Sequence, residues 1–547
     1  MKSASLGGST LVVTLLLGTV LTGCGTTSSG QDTPKAANSQ VLQWVLGDDV
    51  SQLDSAQATD QISIEMLNDA MEGLYRIGKN GNPEPAIAKS VDISTDGLIY
   101  TFHLRSGVKW SNGDPVTAQD FEYGWKRLLT PKLGAGYAYI MSMIKGAKSY
   151  NAGTLIDWSK VGIKATDAST LVVHLEYPTP YFLNLVAFVP FLPADQKFVE
   201  KVGSVYGTSP SNLLYDGPFT ITSWKQGDKI TMKKNSQYWD QAKVKLKEID
   251  FQLVHDTQTN LNLYNTDNVD VAGLSAKFVQ KYNGKSDFHT NMQDAVFYLQ
   301  FNSERIPAFK NVHIREAISL AINRAQFCKA ALNDGSIPAL GLVPPTVLGD
   351  PKQSGDFRTQ NGNLIQDNNS AQAKQLLQKG LTELGLKTMP KFSILVENST
   401  VGKNEATILQ GAWKQNLGLD VQLDAVPLKT QISERRNKQY DVVFSGWTGD
   451  YNDPMTFLDM WTTSNPNNNI GYSNKQYDED IRAAYAEVDK SKRMKLLLAA
   501  EKLFLGDMPI APVYFQEHAY LQKPFVKGVY RFPSGASPEF KWTSIEK

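Results

Sequence analysis

The segment from Tyr440 to Trp461, YDVVFSGWTGDYNDPMTFLDMW, gathers the residues best suited to chemistry. Its carboxylate, Asp450, follows the indole of Trp447 and the small residues Gly446 and Gly449. A carboxylate placed there can hold a cation. It can equally cap its own loop, and the residues alone leave both readings open. The elements that must position it are legible. Tyr440, Val442, Val443 and Phe444 form a short bounded run of β-formers, which predicts a strand over 440–445 buried on both faces. Gly446 and Gly449 leave room for a second backbone to approach. Asp453 and Pro454 then open a helix carried by Met455, Phe457, Leu458 and Trp461.

Composition removes several classes of chemistry. The 547 residues exceed one core, so two or three domains are expected. Lys plus Arg (55) equals Asp plus Glu (55), which argues against a nucleic-acid partner. Two cysteines, Cys24 and Cys328, support neither a disulfide framework nor a four-ligand zinc site. The histidines at 103, 174, 255, 289, 313 and 518 are isolated, and no metal ligand set is expected from them. No Walker A, G-x-G-x-x-G, G-x-S-x-G or H-E-x-x-H pattern occurs, and the Gly-Lys-Ser at 284–286 has Val279 where a phosphate loop needs its first glycine. A hydrolase or nucleotide enzyme is disfavoured, and no cofactor is expected.

The N-terminus reads as an export signal. Lys2 precedes an apolar run from Leu11 to Val20 that is too short and interrupted to span a bilayer. It ends in Leu21-Thr22-Gly23-Cys24, which resembles the bacterial lipobox. That resemblance implies a signal peptide over 1–23, cleavage before Cys24, and acyl chains on Cys24 that fix the chain to a membrane. Residues 24–40 are small and polar and predict a lipid-anchored flexible linker with a reach of roughly 20–25 Å. Cys328, in a helical run, is expected to be a buried core residue.

Downstream, strand and helix signals alternate. Strands are expected at 41–46, 98–105, 170–175, 218–223, 229–234, 247–254, 295–301, 391–397, 420–426 and 511–521. Helices are expected at 62–75, where Ile64, Leu67, Met71 and Leu74 recur at helical spacing, and at 118–129, 136–149, 181–188, 312–332, 370–385, 403–416, 429–437, 474–488 and 490–505. Thr117 with Asp120 forms a capping box ahead of the 118–129 helix. Mixed elements over this length mean an α/β protein with more than one sheet.

The block from Ala88 to Leu128, AKSVDISTDGLIYTFHLRSGVKWSNGDPVTAQDFEYGWKRL, joins a hairpin, a Trp-bearing turn and a capped helix in an order that closely resembles the signature of bacterial extracellular solute-binding proteins of the peptide/nickel class, family 5, and most nearly their oligopeptide-binding members. NSQYWD at 235–240, NVHIREAISLAINR at 311–324, Asn416 to Val426 and Tyr440 to Leu458 continue the resemblance. It implies a two-lobed periplasmic-binding-protein-like fold of type II with an extra inserted domain. Lobe I would be 41–76, 206–302 and 517–547, the inserted domain II 77–205, and lobe III 303–516. It implies a receptor, not an enzyme, that captures oligopeptides in an interlobe cleft and delivers them to the permease of an ABC transporter. The chain would act as a monomer, lipid-anchored at the outer face of the cytoplasmic membrane.

The resemblance also assigns a site. Asp450 would pair with the peptide α-amine. Gly446, Trp447 and Thr448 would bind the peptide backbone on one side, and Met66, Leu67 and Asn68 would do so on the other, as in strand addition. Trp447, Tyr137 and Tyr139 would line the cleft, with Arg435 retained near the peptide. Helical spacing at 62–75 conflicts with an extended Leu67. Gly402, Leu428 and Phe444 stand where some relatives carry His, Trp and Arg, so weak reading of the peptide C-terminal carboxylate is expected. A dedicated solute (pheromone peptide, glutathione, nickel chelate or haem) is the rival within the fold. A surface peptidase, or a chaperone or adhesin, is the rival outside that class.

Overall fold

The computed structural model describes residues 40–547. The signal peptide, Cys24 and the linker up to residue 39 lie outside the described residues. The chain opens with β1 (Val41–Leu46), in which Leu42, Trp44 and Leu46 alternate inward. β1 runs parallel to Glu248–Leu253, which pairs antiparallel with Lys229–Lys234, and that strand with Phe219–Lys225, giving a four-stranded sheet. α1 (Gln61–Ala70) follows, capped by Asp60, whose carboxylate accepts the Ser63 N–H at 2.9 Å. It buries Ile64, Met66 and Leu67. The helix starts one residue earlier than its spacing suggested and ends five residues sooner. Its end has a distant cause: the Glu72 N–H donates to Asp216 Oδ1 at 3.0 Å instead of continuing the ladder.

The segment after α1 builds a second, wholly antiparallel sheet from Ala88–Ile93, Ile99–Leu104, Thr170–His174 and Ile163–Asp167. α2 (Ala118–Leu129) packs on it, and its capping box is formed, with the Thr117 N–H donating to Asp120 Oδ2 at 2.7 Å. Trp110 and Trp125 are fully buried there, and Trp125 Nε1 donates to the Phe191 carbonyl at 2.8 Å. The expected 136–149 helix is broken into short turns, Ala138–Met141 and Ala147–Asn151.

The third sheet holds the long strands. β2 (Phe288–Phe301) and β5 (Ile510–Gln522) lie side by side; β4 (Val442–Thr448) flanks β2, and β3 (Ser393–Glu397) runs parallel to β4 at its start. β2 and β5 are longer than one domain's strand needs. Their pairing shifts register between Met292 and Val296, a bulge that holds Asp294. The Asp294 N–H donates to the Pro533 carbonyl, and its carbonyl accepts the Gly449 N–H at 2.7 Å. α3 (Leu428–Arg436) covers β4. The expected 312–332 helix is interrupted after Leu320, where Asn323 caps a new turn, and Cys328 is buried as expected.

After β5 the chain returns to the first sheet. The Phe540 ring meets Trp44 edge-on at 4.8 Å, and Gln40 exchanges two hydrogen bonds with the Ile545 backbone, at 2.7 and 3.0 Å. A buried network of Glu72, Arg76 and Glu539 ties α1 to this returning segment. The units built on the first and third sheets are closed on one another: Arg436 Nη2 donates to Thr59 Oγ1 at 2.7 Å, and the Leu428 N–H to Asp48 Oδ2 at 3.2 Å.

Candidate functional site

Asp450 stands two residues beyond β4, with its backbone fixed on three sides. The Gly449 N–H is held by the Asp294 carbonyl, the Gly449 carbonyl accepts the Gly535 N–H at 2.8 Å, and the Asp450 N–H donates to Thr456 Oγ1 at 3.0 Å. Its side chain accepts from Tyr137 Oη at 2.9 Å and from Thr456 Oγ1 at 3.4 Å. The residue is 8% exposed. Burial, with the nearby Asp459 adding to it, pushes its carboxyl up to about 8 despite the two hydroxyl donors. Among the described residues no Lys, Arg or His pairs with it. The nearby guanidinium of Arg493 is committed to Asp453 by two hydrogen bonds, at 2.8 and 2.9 Å. A buried carboxyl with no counter-cation is held neutral, and a ligand cation would favour its ionised form.

A cavity of about 680 Å³ opens beside it. Its walls come from Asn68 and 77–82, from 180–189, from 348–355, from Asp450 to Asp453, from 488–494 and from the returning segment 532–539. Phe188, Tyr181 and Tyr451 supply aromatic surface, and the amides of Asn68, Asn184 and Asn452 supply polar atoms. Of the expected site residues, Asp450 and Asn68 line this cavity. Gly446, Trp447, Thr448, Tyr137, Tyr139 and Arg435 lie on the β4 side of Asp450.

On that side the aromatics converge. The Tyr137 ring stacks on Tyr139 at 6.1 Å, tilts against Trp447 at 6.3 Å and meets Phe188 edge-on at 5.3 Å. Burial and the Asp450 carboxylate hold the Tyr137 phenol well above its usual range, so it remains a donor to Asp450. Trp447 Nε1 and Arg435 Nε are buried without an acceptor among the described residues, while Arg435 Nη1 donates to Ser445 Oγ at 2.8 Å. β4 extends past the expected end at 445, so Gly446, Trp447 and Thr448 are laddered to Phe297, Val296 and Ala295 of β2. On its other edge β4 pairs with β3 at Val442 and Val443, and among the described residues the edge from Ser445 to Thr448 has no strand partner.

Two expectations are corrected. Met66, Leu67 and Asn68 lie inside α1, with Met66 and Leu67 fully buried, so they offer no extended backbone edge. The local 3.6-residue periodicity outweighs the strand role that resemblance assigned them. Asn68 contributes a side chain instead, whose Nδ2 donates to Glu539 Oε2 at 2.9 Å. The room expected at the two glycines is also taken. A Cβ on Gly446 would fall 2.8 Å from the Phe297 ring, and one on Gly449 would fall 3.0 Å from the Phe457 ring. Phe444 packs among Phe297, Phe327 and Tyr514.

Several residues escaped sequence reasoning. Thr456 had the only local hint, lying two residues past Pro454. Thr59, which meets Arg436, and the 533–536 turn carried no signal beyond turn chemistry.

Comparison with known proteins agrees with this architecture. The family model of bacterial extracellular solute-binding proteins, family 5, matches residues 82–469. The oligopeptide-binding protein OppA of Bacillus subtilis is 36% identical over 534 residues, 95% of this chain and 96% of that protein. A dipeptide-binding protein of Lactococcus lactis is 36% identical over 568 aligned positions, covering both chains completely. The structure of Listeria monocytogenes OppA bound to peptide superposes with a TM-score of 0.89 at 37% identity, over 93% of this chain and 99% of that one. The fold is therefore α/β, two-lobed and of the type II binding-protein class, with an inserted domain. Family model, relatives and geometry agree: the chain belongs to the bacterial extracellular solute-binding proteins, family 5.

Proposed function

We propose that this chain is an extracytoplasmic receptor that captures the ammonium end of an oligopeptide between its closed lobes and delivers it to an ABC transporter. The observation that carries the reading is the Asp450 carboxylate, buried on a cavity wall with hydroxyl partners and no cation. A peptide α-ammonium supplies the missing charge. The unpaired Ser445–Thr448 edge and the acceptor-less donors on Trp447 and Arg435 suit the carbonyls of an extended guest. The relatives named for oligopeptide and dipeptide binding support this substrate class.

In this reading lobe I comprises 41–76, 206–302 and 517–547, the inserted domain 77–205, and lobe III 303–516. β2 and β5 cross between the lobes, and the bulge at Asp294 is where they flex. Cys24 carries the lipid anchor, the chain works as a monomer, and the guest leaves chemically unaltered. Calorimetry with one peptide in free and N-acetylated forms tests the proposal. Acetylation should weaken binding at least tenfold; equal affinities would overturn the role of Asp450.

A further inference from the structure

A second cavity, of about 440 Å³, lies across the 76–80 segment from the cleft, between the returning segment and the 239–245 turn. Its walls carry Lys79, Lys243, Lys245 and Lys541 with the indoles of Trp239 and Trp542, against the carboxylates of Asp240 and Glu84. Arg76 also lines it but is consumed by Glu72 and Glu539. Lys541 is 5% exposed; its Nζ lies 3.0 Å from Asp240 and about as far from both indole centroids, 5.5 Å each. Asp240 is shared with Lys243 at 3.2 Å, whereas Lys79 and Lys245 form no ion pair among the described residues. Trp239 Nε1 is buried without an acceptor among the described residues. In a chain whose charges balance overall, this is a local cationic excess around an unused N–H donor.

The position matters as much as the charge. The Lys247 N–H donates to the Gln40 carbonyl at 2.7 Å, and Gln40 is clasped to Ile545, three residues past Trp542. Lys243, Lys245 and Lys247 are all exposed. The cavity therefore sits close to Gln40, the first described residue, on which the expected tether from Cys24 would end. Lysines that seek anionic surfaces and indoles that favour the interfacial layer are the side chains such a surface selects.

We propose that this cavity holds the phosphate of an anionic phospholipid headgroup, so that lobe I docks on the leaflet that anchors the chain. The inference leans on the anchored-receptor reading, and its test separates the two. The purified full chain is mixed with vesicles of phosphatidylglycerol or of phosphatidylcholine, and lysine acetylation is mapped by mass spectrometry. Labelling of Lys79 and Lys245 should fall at least fivefold on phosphatidylglycerol relative to phosphatidylcholine, while Lys475 on lobe III labels equally. Lys245→Glu, an exposed change, should cut the protection of Lys79 about fivefold and leave peptide affinity unchanged. Equal labelling on the two lipids overturns the proposal. So does equal protection by inorganic phosphate or glycerol phosphate without vesicles, which would mark a soluble-anion site. The acyl mass on Cys24, read in the same spectra, tests the anchor independently: protection without acylation upholds the docking and removes only the anchor.

Discussion

Asp450→Asn is the sharpest perturbation of this site. The variant is isosteric, keeps an acceptor for Tyr137, and loses only the charge. Removing one partner of a buried ion pair costs about 3–5 kcal/mol. Part of that gain is already offset in the native protein. With its carboxyl pushed up to about 8, Asp450 is protonated in the empty site at pH 7, and ionising it costs about 1.4 kcal/mol. The net loss on substitution is about 2–3.5 kcal/mol, or roughly 30- to 300-fold in dissociation constant. The same argument fixes the proton count. Native protein at pH 7 should release close to one proton per peptide bound, and the variant none from this position. Affinity should climb from pH 6 to about 8 as the carboxyl ionises more easily, then fall as the peptide amine, with an ordinary value of about 8, loses its proton. Titration calorimetry in two buffers of different ionisation enthalpy reads both quantities. An unchanged dissociation constant in the variant, or no proton release by the native protein, would refute the reasoning.

Tyr137→Phe removes a hydroxyl that stabilises the carboxylate, so the pH midpoint of binding should move upward and affinity at pH 7 should drop about fivefold, checked by the same calorimetry. Amidating the peptide C-terminus should change affinity less than threefold, because Phe444 is turned into the core and Gly402 carries no side chain; a collapse of affinity would contradict this. Gly446→Ala should destabilise the fold by about 1–3 kcal/mol, since its Cβ must displace the Phe297 ring, and chemical denaturation measures it. Asp450, Glu65 and Glu405, raised to about 8, and Asp459, raised to about 7, are folded as neutral acids. Their native values lie above their unfolded ones, so the stability they confer is full in acid and is lost as pH rises through 7 to 8. The melting temperature of ligand-free protein should decline between about pH 5 and 8 and level off above that, and Asp459→Asn should flatten the decline.

The fold was legible where local signals and short-range order agree. The Ala88–Leu128 block announced its hairpin, its two buried indoles and its capped helix, because each depends on neighbours in sequence. Asp450 was legible as the carboxylate near a strand terminus. What was not legible depends on distant partners. The true end of β4 lies beyond Gly446 because β2, far away in sequence, keeps the ladder going through a residue type that weakens strands. The glycine gaps look open until Phe297 and Phe457 arrive to fill them. The end of α1 is decided by Asp216, 144 residues from Glu72. The cavity beside Asp450 is assembled from seven separate stretches, and of these 450–453 lies in a segment that carried the family resemblance.

The closure of the first sheet by residues 540–545 has a bearing on the order of folding. Trp44, in the opening strand, receives its covering ring from Phe540, and Gln40 is latched by Ile545. A polypeptide made from its N-terminus lacks both until residues 540–545 have been added. The first sheet therefore cannot be completed by early folding of its opening strand, because the contact that latches it spans 505 residues.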